Sequence, residues 1–104
     1  MRPTPQDVVS LYLRAQNLEQ VRRTDEAVEL YEEAVRACFD SAGPYDRLIA
    51  IYGAYEQHDD VVRIATAALA HVRTFPDKQN WYESVRTTSA EAGAERRDRR
   101  GAEF

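Results

Sequence analysis

Residues 8–41 lie over residues 42–75 with no gap, a period of 34 residues in which apolar positions coincide. Leu11 falls on Tyr45, Ala15 on Ile49, Leu18 on Tyr52, Val21 on Tyr55, Ala27 on Val61, Leu30 on Ile64, Ala34 on Ala68 and Val35 on Leu69; the acidic pair Asp25, Glu26 falls on Asp59, Asp60. A unit of this length is one supersecondary element, too small to bury its apolar face alone, so repetition at this period predicts stacked helical units whose core forms between neighbours.

The spacing inside each unit is helical. Val8, Leu11, Tyr12, Ala15 and Leu18 recur at three and four, as do Ala27, Leu30, Tyr31, Ala34, Val35 and Cys38, then Tyr45, Leu48, Ile49, Tyr52 and Tyr55, and then Val61, Ile64, Ala65, Ala68, Leu69 and Val72. Stop and start signals separate these stripes. Thr4-Pro5 with Asp7 forms a capping-box pattern, Thr24 and Asp59 are the expected caps of helices two and four, and Gly43-Pro44 suits a left-handed turn followed by a first helical turn. After Phe75-Pro76 a more polar fifth helix, 77–92, carries Trp81 and Val85 inward and meets a stop at Gly93. It leaves the 34-residue register by about two residues and is read as a cap on the open end of the array. The expected organisation is one domain over residues 1–93, with repeat one at 8–41, repeat two at 42–75 and the capping helix at 77–92, followed by a polar, flexible tail at 94–104.

A chain of 104 residues with 43% hydrophobic and 31% charged side chains can bury one modest core and does not have the composition of a disordered chain. Residues 1–90 carry 10 basic and 14 acidic side chains and residues 91–104 four of each, so the acidic excess, a net charge of -4, belongs to the folded part. That balance disfavours nucleic acid as a partner, because neutralising phosphates needs a basic face. No apolar run approaches the ~20 residues that span a bilayer, so no membrane partner is expected. The single cysteine, Cys38, and an N-terminus without a long apolar core fit the cytoplasm. Lys78 is the only lysine among 14 basic residues, a composition that suggests a GC-rich bacterial genome.

Helix pairs of this length with large, small, large, small, aromatic and small residues at Leu11, Ala15, Leu18, Ala27, Tyr31 and Ala34, echoed by Tyr45, Ile49, Tyr52, Val61, Ala65 and Ala68, resemble the tetratricopeptide repeat family. Arg14 stands where that family usually has leucine, Ile49 and Val61 replace small residues, and the family's closing proline is absent at Phe39 and Arg73. The resemblance implies an all-α fold: a right-handed superhelical array of antiparallel helix pairs, here five helices. It also implies a non-enzymatic adaptor or scaffold holding a partner peptide or protein in a concave groove. Carried over position by position, that groove is lined by Tyr12, Gln16, Glu19 and Gln20, by Arg47, Ala50 and Ala54, and by Tyr82 and Arg86. The family's capture of a terminal carboxylate by several cationic groove residues is not expected, since only Arg47 is cationic at those positions in the two repeats.

Nothing in the residues themselves points to catalysis, a cofactor or a metal. His58 and His71 have no second ligand at metal spacing, Cys38 sits in an apolar stripe, and the four glycines are isolated, so there is no phosphate loop. Glu29, Glu32 and Glu33 read as a solvated helix face. A second class of function remains open: a small acidic inhibitor, immunity or antitoxin-type protein that blocks a basic toxin or nuclease through its acidic convex face. Self-association into a homodimer through the first or fifth helix is a further expectation, because so short an array has exposed ends.

Overall fold

The computed structural model describes residues 4–102, in five helices with no strand among them: α1 (Pro5–Gln20), α2 (Thr24–Arg36), α3 (Gly43–Ala54), α4 (His58–His71) and α5 (Pro76–Ala102). Each helix packs against its neighbours in the chain, most extensively α1 with α2 and α4 with α5. The 34-residue period survives in the backbone: α2 and α4 begin 34 residues apart, as do the turns 21–23 and 55–57. α1 starts as its residues dictate, with the Thr4 hydroxyl accepting from the Asp7 N–H and the Asp7 carboxylate accepting from the Thr4 N–H.

The caps expected at Thr24 and Asp59 are not used. The helix boundaries fall earlier, at Arg23 and Gln57, neither of which makes a side-chain cap. The reason lies in how tightly the preceding helices end. Arg22 and Glu56 take left-handed φ values of 64° and 56°, so the next N–H groups, of Arg23 and Gln57, fold back onto the carbonyls of Leu18 and Tyr52. This is the Schellman closure. One residue thus ends one helix and opens the next, and Thr24 and Asp59 fall inside the first turns.

Two further expectations need correction at the junction of the repeats. Gly43 does not adopt a left-handed conformation; that role falls to Cys38, with φ 58°, which closes α2 through the Phe39 N–H on the Ala34 carbonyl and is solvent-exposed, not part of the apolar stripe. Gly43 makes room for Tyr12: a Cβ there would lie 2.5–2.8 Å from ring and hydroxyl atoms of Tyr12, whose half-buried end would have to move.

The core runs through the seams between helices. Ala15, Ala27, Ala34, Ala65 and Ala68 are fully or almost fully buried, and their short side chains let the helix axes approach around Tyr31, Tyr45, Leu48 and Ile64. Tyr55 is not part of this core; it caps the end of α3 and is 68% exposed.

α5 departs most from the sequence reading. It does not stop at Gly93 but continues to Ala102, through most of the segment expected to be a flexible tail; Glu103 and Phe104 lie outside the described residues. Its inward stripe is Lys78, Tyr82, Val85, Ser89 and Gly93, so Tyr82 is fully buried whereas Trp81 is 41% exposed. Gly93 is an approach point: a Cβ there would come within 3.3 Å of the His58 Cβ at the start of α4. Beyond it, Arg96 donates to the Glu56 carbonyl and Arg97 to the Asp59 carboxylate, which ties the last turns to the end of α3 and the start of α4.

Candidate functional site

Three tyrosine–carboxylate–cation groups join the helices and decide which polar side chains remain free. In the first, Glu19 of α1 accepts a hydrogen bond from the Tyr31 hydroxyl of α2 (2.6 Å) and a bidentate pair from Arg47 of α3 (2.9 and 2.6 Å). In the second, Glu32 of α2 accepts from the Tyr52 hydroxyl of α3 (2.5 Å) and from both terminal nitrogens of Arg63 of α4 (3.0 and 2.6 Å). In the third, Asp46 of α3 accepts from the Tyr82 hydroxyl and from Lys78 of α5, each at 2.8 Å. Lys78 also lies 4.3 Å from the centre of the Trp81 ring. A partly buried carboxylate shared by a phenol and a cation keeps its charge compensated while linking different helices.

The ionisation behaviour follows. The Arg47 guanidinium holds the Glu19 carboxyl below its ordinary range, with help from the Tyr31 hydroxyl. Burial works against ionisation of Glu32, but hydrogen bonds from Arg63 and Tyr52 outweigh it and the net shift is downward. Burial first, and the adjacent carboxylate second, push Tyr52 up to about 12 and raise Tyr31 and Tyr82 as well. Tyr45, buried with its hydroxyl on the Phe39 carbonyl, is pushed up to about 12 by desolvation.

The residues expected to line a groove are thereby sorted. Gln16, Glu19, Gln20 and Arg47 do come together, around a shallow cavity of about 180 Å³ that Tyr31 also lines. Arg47 is not free there, since Glu19 compensates its charge. Tyr12 is half-buried, receiving a hydrogen bond from the Gln16 side chain and covering Gly43. Ala50 and Ala54 are exposed on α3. Tyr82 and Arg86 are not brought to the cavity. Tyr82 is buried against Asp46, and Arg86 lies at helical spacing from Gly93 and Arg97, on the flank of α5 that meets α4.

Sequence reasoning missed three exposed apolar side chains near these positions: Val9 and Leu13 of α1, and Trp81 of α5. Val9 and Leu13 are spaced i, i+4 opposite Ala15, a signal present in the sequence. Trp81, Val85 and Thr88 share the flank of α5 from which Lys78 reaches α3 and Arg96 the turn that follows it. Gly53 of α3 holds the position of Glu19 in the second repeat; it is exposed, and a Cβ there meets nothing within 4 Å. Where α1 bridges to α3 through a glutamate, α3 leaves open space. On α1 the strip Val9, Leu13, Gln16, Gln20 and on α3 Ala50, Gly53 and Ala54 are uncharged, and Arg47, the cation at the cavity where the two helices meet, is already paired.

The outer face of α2 carries acidic side chains. Glu29 and Glu33 of α2 are exposed and have no ion-pair partner among the described residues, unlike Glu32 between them. No group of three or more His, Cys, Asp or Glu side chains converges on a point where a metal ion could sit, and no helix is long and apolar enough to cross a membrane, among the described residues. Comparison with known proteins finds no family model, no curated protein and no solved structure that matches this chain.

Proposed function

We propose that this chain is a small cytoplasmic adaptor of tetratricopeptide-like architecture, two helix pairs and a capping helix in a right-handed superhelical array, that binds another protein or peptide and catalyses nothing. In that arrangement α1, α3 and α5 line the concave side. The observation that carries the reading is the composition of this side: in a chain with 31% charged residues, a surface of exposed aliphatic, amide and small side chains spans two helices with no unpaired charge. Depletion of charge around apolar side chains is the compositional mark of an interface centre. The intramolecular commitment of Arg47 argues for an apolar or amphipathic partner segment rather than an acidic tail.

A second reading rests on Glu29 and Glu33, whose unpaired carboxylates give α2 an acidic outer face suited to a basic toxin or nuclease. One experiment separates the two: capture from host cells, read by mass spectrometry, with the wild type, Ala50→Arg/Ala54→Arg and Glu29→Arg/Glu33→Arg. The adaptor reading expects the alanine pair to lose the partner and the glutamate pair to keep it, with helicity unchanged in both. The opposite pattern supports the acidic inhibitor and refutes the groove.

A further inference from the structure

The outward edge of α1 faces away from every other helix and, apart from Leu13 at its border with the groove, carries residues that neither the core nor the groove uses. Gln6, Asp7, Ser10, Leu13, Arg14, Asn17 and Val21 are all exposed, and Leu13 and Val21 are 53% and 64% accessible. Arg14, the departure from the family pattern, has no ion-pair partner among the described residues. Asp7 uses Oδ2 in the capping box with Thr4, which leaves Oδ1 facing solvent. Seven residues is close to two helical turns, so Asp7 and Arg14 sit on one strip of the helix, about 10 Å apart, with Ser10 between them.

This strip is complementary to itself when reversed. An antiparallel two-fold contact keeps each flank of a helix against the same flank of its mate, so an acid and a base placed equally on either side of the axis each meet their opposite. We propose that α1 pairs antiparallel with α1 of a second copy about an axis beside Ser10, with Asp7 of each copy meeting Arg14 of the other. The small Ser10 side chain lets the helices approach at the crossing. Leu13 then packs between Gln6 and Val9 of the second copy. Charge supplies the argument for a second copy as occupant: the strip has one acid and one base at reciprocal positions. It thus suits itself and offers no net charge to an unrelated basic or acidic protein. The contact also covers the end of the array that α5 does not reach; it takes the Val9 and Leu13 border of the groove and leaves Gln16, Gln20, Ala50, Gly53 and Ala54 open. A contact one helix wide falls at or below the low end of the ~1,200–2,000 Å² that stable interfaces bury, so the dimer forms in the micromolar range.

Sedimentation equilibrium from about 1 to 500 µM, a range that brackets such an affinity, tests the proposal. The wild type is expected to pass from monomer to dimer. Arg14→Glu and Asp7→Arg each set like charges across the axis and are expected to weaken the dimer at least tenfold. An equimolar mixture of the two restores it as a heterodimer, since both contacts are then opposite in sign. Asp7→Arg also removes a capping carboxylate, so Ser10→Cys in a Cys38→Ser background gives an independent reading: mild oxidation links two copies through residue 10. A wild type that stays monomeric, a dimer indifferent to Arg14→Glu, a mixture that fails to associate, or a Ser10→Cys protein that does not cross-link overturns the proposal.

Discussion

Replacing Glu32 with alanine removes the carboxylate at the centre of one helix-joining group and isolates what its loss is worth. The Glu32 side chain is 14% exposed and accepts from Tyr52 on α3 and Arg63 on α4, so the substitution frees two groups on two neighbouring helices. The Tyr52 hydroxyl, half-buried, loses a charge-assisted hydrogen bond of about 1.5–3 kcal/mol. Arg63, about half exposed, is rehydrated and keeps Asp60, so its share is at most about 0.5–1 kcal/mol. The expected destabilisation is about 2–4 kcal/mol, which for a domain of this size lowers the melting temperature by roughly 10 °C or more. The control is Glu33→Ala, one residue along the same helix, exposed and unpaired, where a change within about 0.5 kcal/mol is expected. Urea unfolding of both variants, with a Tyr52→Phe cycle to extract the coupling, is the assay. Equal stability of Glu32→Ala and Glu33→Ala refutes the claim that these groups hold the array together.

The glycines give a paired test by thermal melting. Gly53→Ala adds a methyl group to a helix in open space and is expected to stabilise by about 0.5–1 kcal/mol. Gly43→Ala, at the first residue of α3 where helix propensity counts for less, places a Cβ 2.5 Å from the Tyr12 ring, forces that ring to move and is expected to destabilise. Glu56→Gly relieves a left-handed residue with a side chain, and the gain in chemical denaturation is expected to be about 1 kcal/mol or less after glycine's own entropy is counted. Glu19 and Glu32 have lowered carboxyl pKa values in the folded state, so their contribution is complete above the unfolded value near 4.5 and is lost as pH falls through the folded values. Stability measured from pH 6 downward should therefore begin to fall at about 5, and Glu32→Gln should flatten part of that fall.

The local and periodic parts of this structure were legible in the sequence. The 34-residue echo located both hairpins, and the stripes of α2 and α4 identified Ala27, Tyr31, Ala34, Ile64, Ala65 and Ala68 as buried. What could not be read was written in other terms. Arg22, Cys38 and Glu56 hold left-handed positions with no glycine to announce them. The inner stripe of α5 is mostly polar or small, so hydrophobic periodicity favoured Trp81 over Tyr82, and Gly93 resembled a stop although it marks close approach to α4. The candidate groove was partly legible because Gln16, Glu19, Gln20 and Arg47 are neighbours. That Arg47 is occupied was not legible, because the glutamate that pairs with it is 28 residues away in the chain and no local pattern links them.

The claim at the centre of this account is that buried tyrosines anchored on neighbouring elements hold the helices in place, and a spectrophotometric titration at the tyrosinate band tests it directly. Tyr31, Tyr45, Tyr52 and Tyr82 all have raised pKa values, about 12 for Tyr45 and Tyr52, so each contributes stability that is complete below the unfolded value of 10 and is lost as pH rises through the folded value. At about pH 11, roughly one unit above the ordinary tyrosine value, these four of the six tyrosines should remain mostly neutral in the folded protein and ionise fully when urea is added. Ionisation of all six at that pH, with helicity intact, would contradict the account.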